Sequence, residues 1–408
     1  MTAAILLAAL FPAAPLRDLA TGARVDDAVL VRPASYVLLA PLSDVLDTLT
    51  ALTPSQHVAL AIALAAVFAG WRAARRPSLA VRRSVVVELR TAGGAALVYV
   101  ALYAAMIAAP RPMVALRLRD PALLSIDFHS HTNASHDARA GFSVAANRDW
   151  HRRAGFDAAY VTDHHSFRGV AEALLTNPVR AGDGTMLLPA LEAAYQKEEV
   201  IILGSAHDAG TAPVRQWAGG HTPLDADAGL VLTLPGAVAT FVTTGVRQSR
   251  LLGIELSDAS PRGIAESDAK RSAIIALGHT IGAALLTGSD NHGWGRSAIA
   301  WSVMSIPGWR AMSADTLDAR IRATLRSDGL RAARPLGRAR VSSAGGPVAC
   351  AATAPAVAWL MVRTLSWPER LAWLGWIWTV AALVYLGDRL RRRERRRQLS
   401  TDEPPIRR

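Results

Sequence analysis

Two kinds of apolar pattern divide the chain. Over residues 1–118 and again over 344–388, apolar residues run on with no regular polar face; between them, short β-branched runs alternate with charged and turn-forming stretches. Ser55 to Trp71 is uncharged, ends on a tryptophan and is followed at once by Arg72, Arg75 and Arg76, which predicts a membrane span over about 55–71. A second span is expected over about 92–109, stopped by Pro110 and Pro112. Residues 347–362 are apolar again but carry Pro355, and 371–386, with Trp373, Trp376 and Trp378, form the strongest late span. Residues 3–16 are interrupted by Pro12 and Pro15 and lack a basic leader, a poor fit to a cleaved signal peptide. Residues 36–52 mix Leu and Val with Asp44 and Asp47 and predict an interfacial or packing helix.

The segment 119–343 reads as a water-soluble domain. Its apolar runs end repeatedly on polar, metal-competent residues. Leu124 to Phe128 leads to His129 and His131, Ala158 to Thr162 to Asp163, His164 and His165, and Met186 to Leu191 to Glu192. Val200 to Leu203 leads towards His207, Leu251 to Ile254 to Glu255, and Ala283 to Gly288 to Asp290 and His292; Val231 to Leu234 ends on Pro235 with no ligand. Helical stretches at 144–154, 169–175 and 267–277 fall between several of these strands. Strands alternating with helices imply a parallel sheet, and polar residues at the C-terminal strand ends mark the mouth of a β/α barrel. The expected fold is therefore α/β, a barrel-like domain of seven strands flanked by transmembrane helices.

Charge sharpens the membrane reading. The formal net charge is +12, with seven arginines between Arg389 and Arg397, so the basic tail at 389–408 is first a topology signal. No aromatic residues interleave with that run, and no nucleic-acid partner is expected. The basic linker at 72–90 and the tail both favour the cytoplasm, yet three crossings between them would separate the two. If 347–362 does not span, the domain lies outside the cytoplasm; if both late segments span, it is cytoplasmic, alongside Arg331, Arg334, Arg338 and Arg340. Either way an integral, multi-pass protein of a bacterial cytoplasmic membrane is expected, with the lipid bilayer as a partner. The only cysteine, Cys350, excludes an internal disulfide and a thiolate zinc site.

His129 and His131 are two apart, so in a strand they face one side and can close on one ion. Taken singly, Glu192 reads as a surface carboxylate and His279 as an ordinary hydrogen-bonding histidine. Six strand ends offering imidazole or carboxylate together point to divalent metal, and a donor set without thiolate suits zinc, manganese or iron.

His129-Ser130-His131-Thr132, Ser135-His136, Thr162-Asp163-His164, Pro189-Ala190-Leu191-Glu192 and Ser289-Asp290-Asn291-His292-Gly293 resemble, in order and spacing, the motifs of the PHP (polymerase and histidinol phosphatase) metallohydrolase family, over about residues 122–300. The resemblance implies a distorted seven-stranded β/α, TIM-like barrel holding two or three metal ions. It implies that His129 and His131 bind one ion, that Glu192 bridges two, and that His164, Asp290 and His292 complete the cluster. His136 stands where the family has Asp or His and is an implied ligand, with Asp137 beside it as the fallback. Two positions depart from the pattern: Glu199, or Val200, stands where a His is usual, and Leu234 precedes Pro235 where the family has His-Pro. His207 is the candidate replacement.

The expected function is that of a membrane-anchored, metal-dependent phosphoesterase acting on a small-molecule substrate. Asp163 and His165, flanking His164, are the candidates for catalytic proton transfer or support of the ligands. Arg139, Arg168 and Lys197 read first as solvated surface cations, with steadying of an anionic substrate as the alternative; Trp217, Trp294 and Trp301 read first as core, with an apolar pocket for a neutral ester as the alternative. The alternatives are hydrolysis of a carboxylic ester, amide or carbamate, and a degenerate metal- or ligand-binding domain without activity.

Overall fold

The computed structural model describes residues 1–74, 81–164, 166–195, 198–204, 229–235, 251–342 and 347–401. His165, Lys197, His207 and Trp217 lie outside them. The chain opens with α1 (Thr2–Leu10), β1 (Leu16–Asp18), β2 (Ala28–Val31), α2 (Ala34–Leu38) and α3 (Ala40–Thr50), followed by the long helices α4 (Pro54–Ala74) and α5 (Val81–Ala108). The domain then runs β3 (Ala115–Leu118), β4 (Leu123–Ser130), α6 (Val144–Ala154), β5 (Ala158–Val161), α7 (Arg168–Thr176), β6 (Met186–Tyr195), β7 (Glu198–Leu203), β8 (Gly229–Leu232) and β9 (Leu251–Ser257). It continues with α8 (Pro261–Ala265), α9 (Asp268–Ile281), β10 (Ala284–Thr287), β11 (Ala300–Ser305), α10 (Ala314–Asp328) and β12 (Ala333–Arg338). Helices α11 (Pro347–Thr364) and α12 (Trp367–Thr401) close the chain.

The expectation of seven strands is corrected: the main sheet has ten, in the order β1-β12-β11-β4-β5-β6-β7-β8-β9-β10. All seven sequence-derived runs are strands of it. The additional β1, β11 and β12 pair antiparallel at the β4 side. Nor is the sheet uniformly parallel. β6 and β7 pair antiparallel, because the two residues between them leave no room for a crossover, and β8 is also antiparallel to β7.

The sheet curls until the exit of β10 meets β4 again. Ser289 and Asp290 donate their backbone N–H to the His129 carbonyl at 3.1 and 2.8 Å, and His131 N–H donates to the Asn291 carbonyl at 3.3 Å. Gly288 permits this approach, since a Cβ there would stand 2.4 Å from His129 Cβ and 2.3 Å from Glu255 Oε1. On one face Tyr160, Met186, Leu188, Ile201 and Leu286 pack against Leu317, Ile321 and Leu325 of α10. The other face is covered by α6 and α7 over Ala159, Val161 and Leu187, and by α9 over Ile254 and Leu285. Burying these side chains is the main stabilising term, about 1.5–3 kcal/mol for each large one.

Among the described residues three helices are long and apolar enough to cross a membrane, Pro54–Arg72, Arg90–Ala108 and Trp367–Glu394. Their outward faces carry exposed residues such as Ile62, Val67, Leu97, Val100, Leu383 and Leu386. The expected span at 347–362 is α11, which is not among the three. It packs beside Ile5, Ala8 and Trp373 through Val362, with Leu365 just after it in the same cluster.

Helices α2 and α3 join this bundle to the domain through buried charge. Asp47 faces Arg111 Nε at 3.3 Å and Arg338 Nη1 at 2.8 Å and accepts from Tyr36 at 3.1 Å. Asp44 accepts from Tyr36 at 3.1 Å and from Trp373 Nε1 at 2.8 Å. The polar residues that interrupt the apolar pattern at 36–52 thus face the junction, where each has a partner.

Candidate metal centre

The pleat explains how the cluster assembles. β4 pairs with β5 through Asp127↔Ala159 and then Ser130↔Val161, so the irregularity between them spans Phe128 and His129, at the start of the His-x-His pair. Backbone bridges join His164 to Glu192 and Ser130 to Asn291, so ligands distant in sequence become neighbours across the strand ends.

Two carboxylate oxygens act as hubs. Glu192 Oε2 lies 2.9 Å from His129 Nε2, 3.2 Å from His131 Nε2 and 3.5 Å from His164 Nδ1. Asp290 Oδ1 lies 3.4 Å from His129 Nε2, 3.3 Å from His131 Nε2 and 3.4 Å from His292 Nδ1. The His131 and His292 rings stack with centroids 3.9 Å apart. His129 Nε2 and His131 Nε2 face each other at 3.1 Å beside both hubs. So many lone pairs converging on one buried space need a cation there, either protons or metal.

The electrostatics state the same requirement. Burial works against the imidazolium of His131, yet its bonds to Asp290 and Glu192 carry it up to about 9. Burial likewise opposes charge on His129, but Glu192, Asp290 and Glu255 raise it well above the ordinary value. Glu192 overcomes its own burial through His129 and is held well below the usual carboxylate range. His131, His164 and His292 form one group able to hold an ion, and His129, His131 and Glu192 another. These residues fit a divalent-metal cluster on donor type, burial and convergence.

His136 and Asp137 part company. His136 is exposed, with its ring centroid 5.5 Å from that of His164. Asp137 Oδ2 stands 3.4 Å from His164 Nε2 and 3.2 Å from His292 Nε2. Asp163 is fully buried, and both its oxygens are taken by Thr132, from the backbone N–H at 2.6 Å and the hydroxyl at 2.7 Å. Burial raises its pKa, and those two bonds pull the other way. His279 is exposed in the last turn of α9, and Trp301 is core, donating Nε1 to the Ala154 carbonyl. Arg168 is exposed and donates to the Asn133 carbonyl at 3.3 Å.

The two departures from the family pattern meet at one arginine. Arg262 donates Nη1 to Glu199 Oε2 at 3.2 Å and Nη2 to the Leu234 carbonyl at 2.9 Å. Glu199 is half-exposed and engaged there.

Sequence reasoning named Glu255 as a strand end but gave it no place in the cluster, and it left out Asp258, Asp127 and His151. Glu255 lies 3.3 Å from His129 Nδ1, and with Asp258 forms a further group around His129 that is able to hold an ion. Asp127 Oδ1 accepts from the backbone N–H of His129 and Ser289, while Oδ2 meets His151 Nε2 at 2.7 Å. The signal available for Glu255 was its place at the end of an apolar run; for the Asp127–His151 pair there was none, since the pairing depends on how α6 packs. Helix α6 is fixed by Ser143 at its N-cap and by Gly155, at φ +81°, at its C-cap. Its Asn147 donates to the His131 carbonyl at 2.7 Å, bracing the exit of β4.

No protein-family model matches the chain, and no curated protein matches it. Among solved structures, PsfC from Pseudomonas syringae is 16% identical, over 58% of this chain and 98% of that one, with a TM-score of 0.34. A two-domain protein containing a predicted PHP-like metal-dependent phosphoesterase, from Bacteroides vulgatus, is 16% identical over 48% of this chain and 63% of that one, at 0.30. A lesion-specific endonuclease from Pyrococcus furiosus is 13% identical over 51% and 56%, at 0.33. Likenesses of this extent leave the functional reading to the side chains.

Proposed function

We propose that the protein is a membrane-anchored, metal-dependent hydrolase of the PHP type, acting on a phosphoester. The observation that carries this reading is the convergence of His129, His131, His164 and His292 on the shared oxygens of Glu192 and Asp290. Bound divalent ions supply the Lewis acidity that makes water nucleophilic near neutral pH and offsets phosphoryl charge. In this reading Asp137 joins His164 and His292 in holding an ion, and Glu255 orients the His129 ring through Nδ1. Asp163 is a positioning residue that locks Thr132, and hence the loop after His131. Substituting His129 and His131 with Ala is expected to abolish retention of two or more divalent ions per chain, measured by elemental analysis of the detergent-purified protein. Unchanged stoichiometry overturns the assignment.

The membrane arrangement belongs to the same proposal. Both ends of the α4–α5 hairpin that join the domain do so through direct contacts: Gln56 Nε2 donates to the Val341 carbonyl, and Arg111 pairs with Asp47. Helix α12 also begins at the domain, where Glu369 pairs with Arg32 and Trp373 bonds Asp44. At about 1.5 Å per residue, Arg72 and the arginines after Arg389 then reach the far end of their helices, about 30 Å away. This supports a topology of three crossings in which α11 does not span and both basic segments share one side. With that side cytoplasmic, the metal centre faces outward.

A further inference from the structure

Beside the metal cluster, between it and the end of a spanning helix, lies a basic cavity that the cluster's chemistry does not use. Arg139 donates its backbone N–H to the His292 carbonyl at 2.8 Å, and its guanidinium lies 5.4 Å from the centre of the Trp294 ring, which is 53% exposed. Arg296, two residues beyond Trp294, donates Nε to the Ile107 carbonyl at 3.1 Å, in the last turn of the Arg90–Ala108 span. Burial, and then the like charges of Arg139, Arg111 and Arg153, hold Arg296 below the ordinary guanidinium value. The cavity, of about 270 Å³, is lined by Arg139, Arg153 and Arg296 together with Phe142 and Trp150. Its one acidic lining residue, Asp149, is already paired with Arg152 and Arg153. No carboxylate pairs with Arg139 or Arg296 among the described residues.

Resting on the phosphoesterase reading, we infer that this cavity receives the phosphate of a membrane amphiphile and that the substrate is a phosphate-bearing lipid taken from the bilayer surface. Arginine forks match phosphate oxygens and hold them with charge-assisted hydrogen bonds. The exposed Trp294 and the span end at Ile107 set the cavity at headgroup level, where an indole with one polar edge is stable. A lipid held there by its headgroup has its phosphoester next to His292 while its chains remain among the apolar faces of the spans. A nucleic acid, by contrast, needs a longer basic track clear of the bilayer.

The test is native mass spectrometry of the metal-loaded full chain in detergent, with phosphatidic acid, phosphatidylcholine or a short single-stranded DNA added. Phosphatidic acid should be retained in preference to phosphatidylcholine. The double variant Arg139→Gln/Arg296→Gln should lose that retention by about tenfold or more, from roughly 1 kcal/mol per arginine, while keeping its metal stoichiometry. Arg119→Gln, on an exposed arginine outside the cavity, should retain lipid as the parent does. Undiminished retention by the double variant, or retention of DNA in place of lipid, overturns the inference. Phosphate release from p-nitrophenyl phosphate and from phosphatidic acid vesicles separates the two readings. Lipid retained through the arginines with neither substrate cleaved leaves the lipid site standing and removes the phosphoesterase; cleavage of the soluble ester without lipid retention does the reverse.

Discussion

Asp127 and His151 form a fully buried pair, Oδ2 to Nε2 at 2.7 Å, with His151 Nδ1 directed at the Asn147 carbonyl at 2.8 Å. A carbonyl oxygen can only accept, so Nδ1 carries a proton, and the Nε2–carboxylate contact carries another. The pair clamps β4 to α6 and, through Asp127 Oδ1, to Ser289 just before Asp290. Removing His151 leaves Asp127 Oδ2 buried without a partner, although Oδ1 keeps its two backbone donors. His151→Ala is therefore expected to cost about 3–5 kcal/mol in unfolding free energy, measured by denaturant unfolding in detergent. A cost below about 1 kcal/mol would show that the clamp carries no weight.

The contrast between neighbours His136 and Asp137 gives a second expectation. Asp137→Asn keeps the shape of the side chain but removes the charge facing His164 and His292. It should lower metal affinity about 10–100-fold, the range for groups that support a metal site. His136→Ala should leave it within about twofold, a change of less than half a kcal/mol. Competition with a metallochromic chelator measures both. Equal losses would return His136 to the cluster.

At the junction, burial and then the nearby Glu369 raise Asp44 from 3.8 to about 7, against the pull of its Trp373 bond and Arg32. The folded protein therefore holds this proton more tightly than the unfolded chain does. Stability from it is fully present below pH 3.8 and is lost as pH rises through about 7. Asp44→Asn removes that dependence, so the variant should gain thermal stability relative to the parent on going from pH 5 to pH 8. A difference that stays constant across this interval, or that moves the other way, contradicts the expectation.

The three-crossing arrangement is open to labelling. In a Cys350→Ser background, Leu175→Cys, on the exposed face of α7, should react with a membrane-impermeant maleimide added to intact cells. Ser400→Cys, beyond the arginine run, should react only after lysis. The reverse pattern would place the metal centre in the cytoplasm.

Much of the site was legible because its signal is local. A strand's period of two is enough to expect His129 and His131 on one face, and the candidate spans announce themselves by uninterrupted apolar length. The seven runs of the domain were legible for the same reason. β11 and β12 were missed because they take their place by antiparallel pairing at the β4 side, β11 on β4 and β12 on β11, with β1 reaching β12 from more than 300 residues away. A three-residue strand such as β1 carries no periodicity of its own.

The amino-acid sequence by itself determined that apolar runs would end on imidazoles and carboxylates and that basic segments would flank helices long and apolar enough to cross a membrane. Those properties depend on residue type and short spacing. Only the tertiary structure decided that Asp137 Oδ2 stands between His164 and His292, that Arg262 ties Glu199 to Leu234, and that α12 begins beside Asp44 and Arg32. Each is a choice among partners far apart in the chain. At the α12 junction it is settled by which buried charge finds a counter-charge when the layers close, because an unpaired one there is costly. At the half-exposed Asp137 and Glu199 it is settled by which loops the curled sheet brings together.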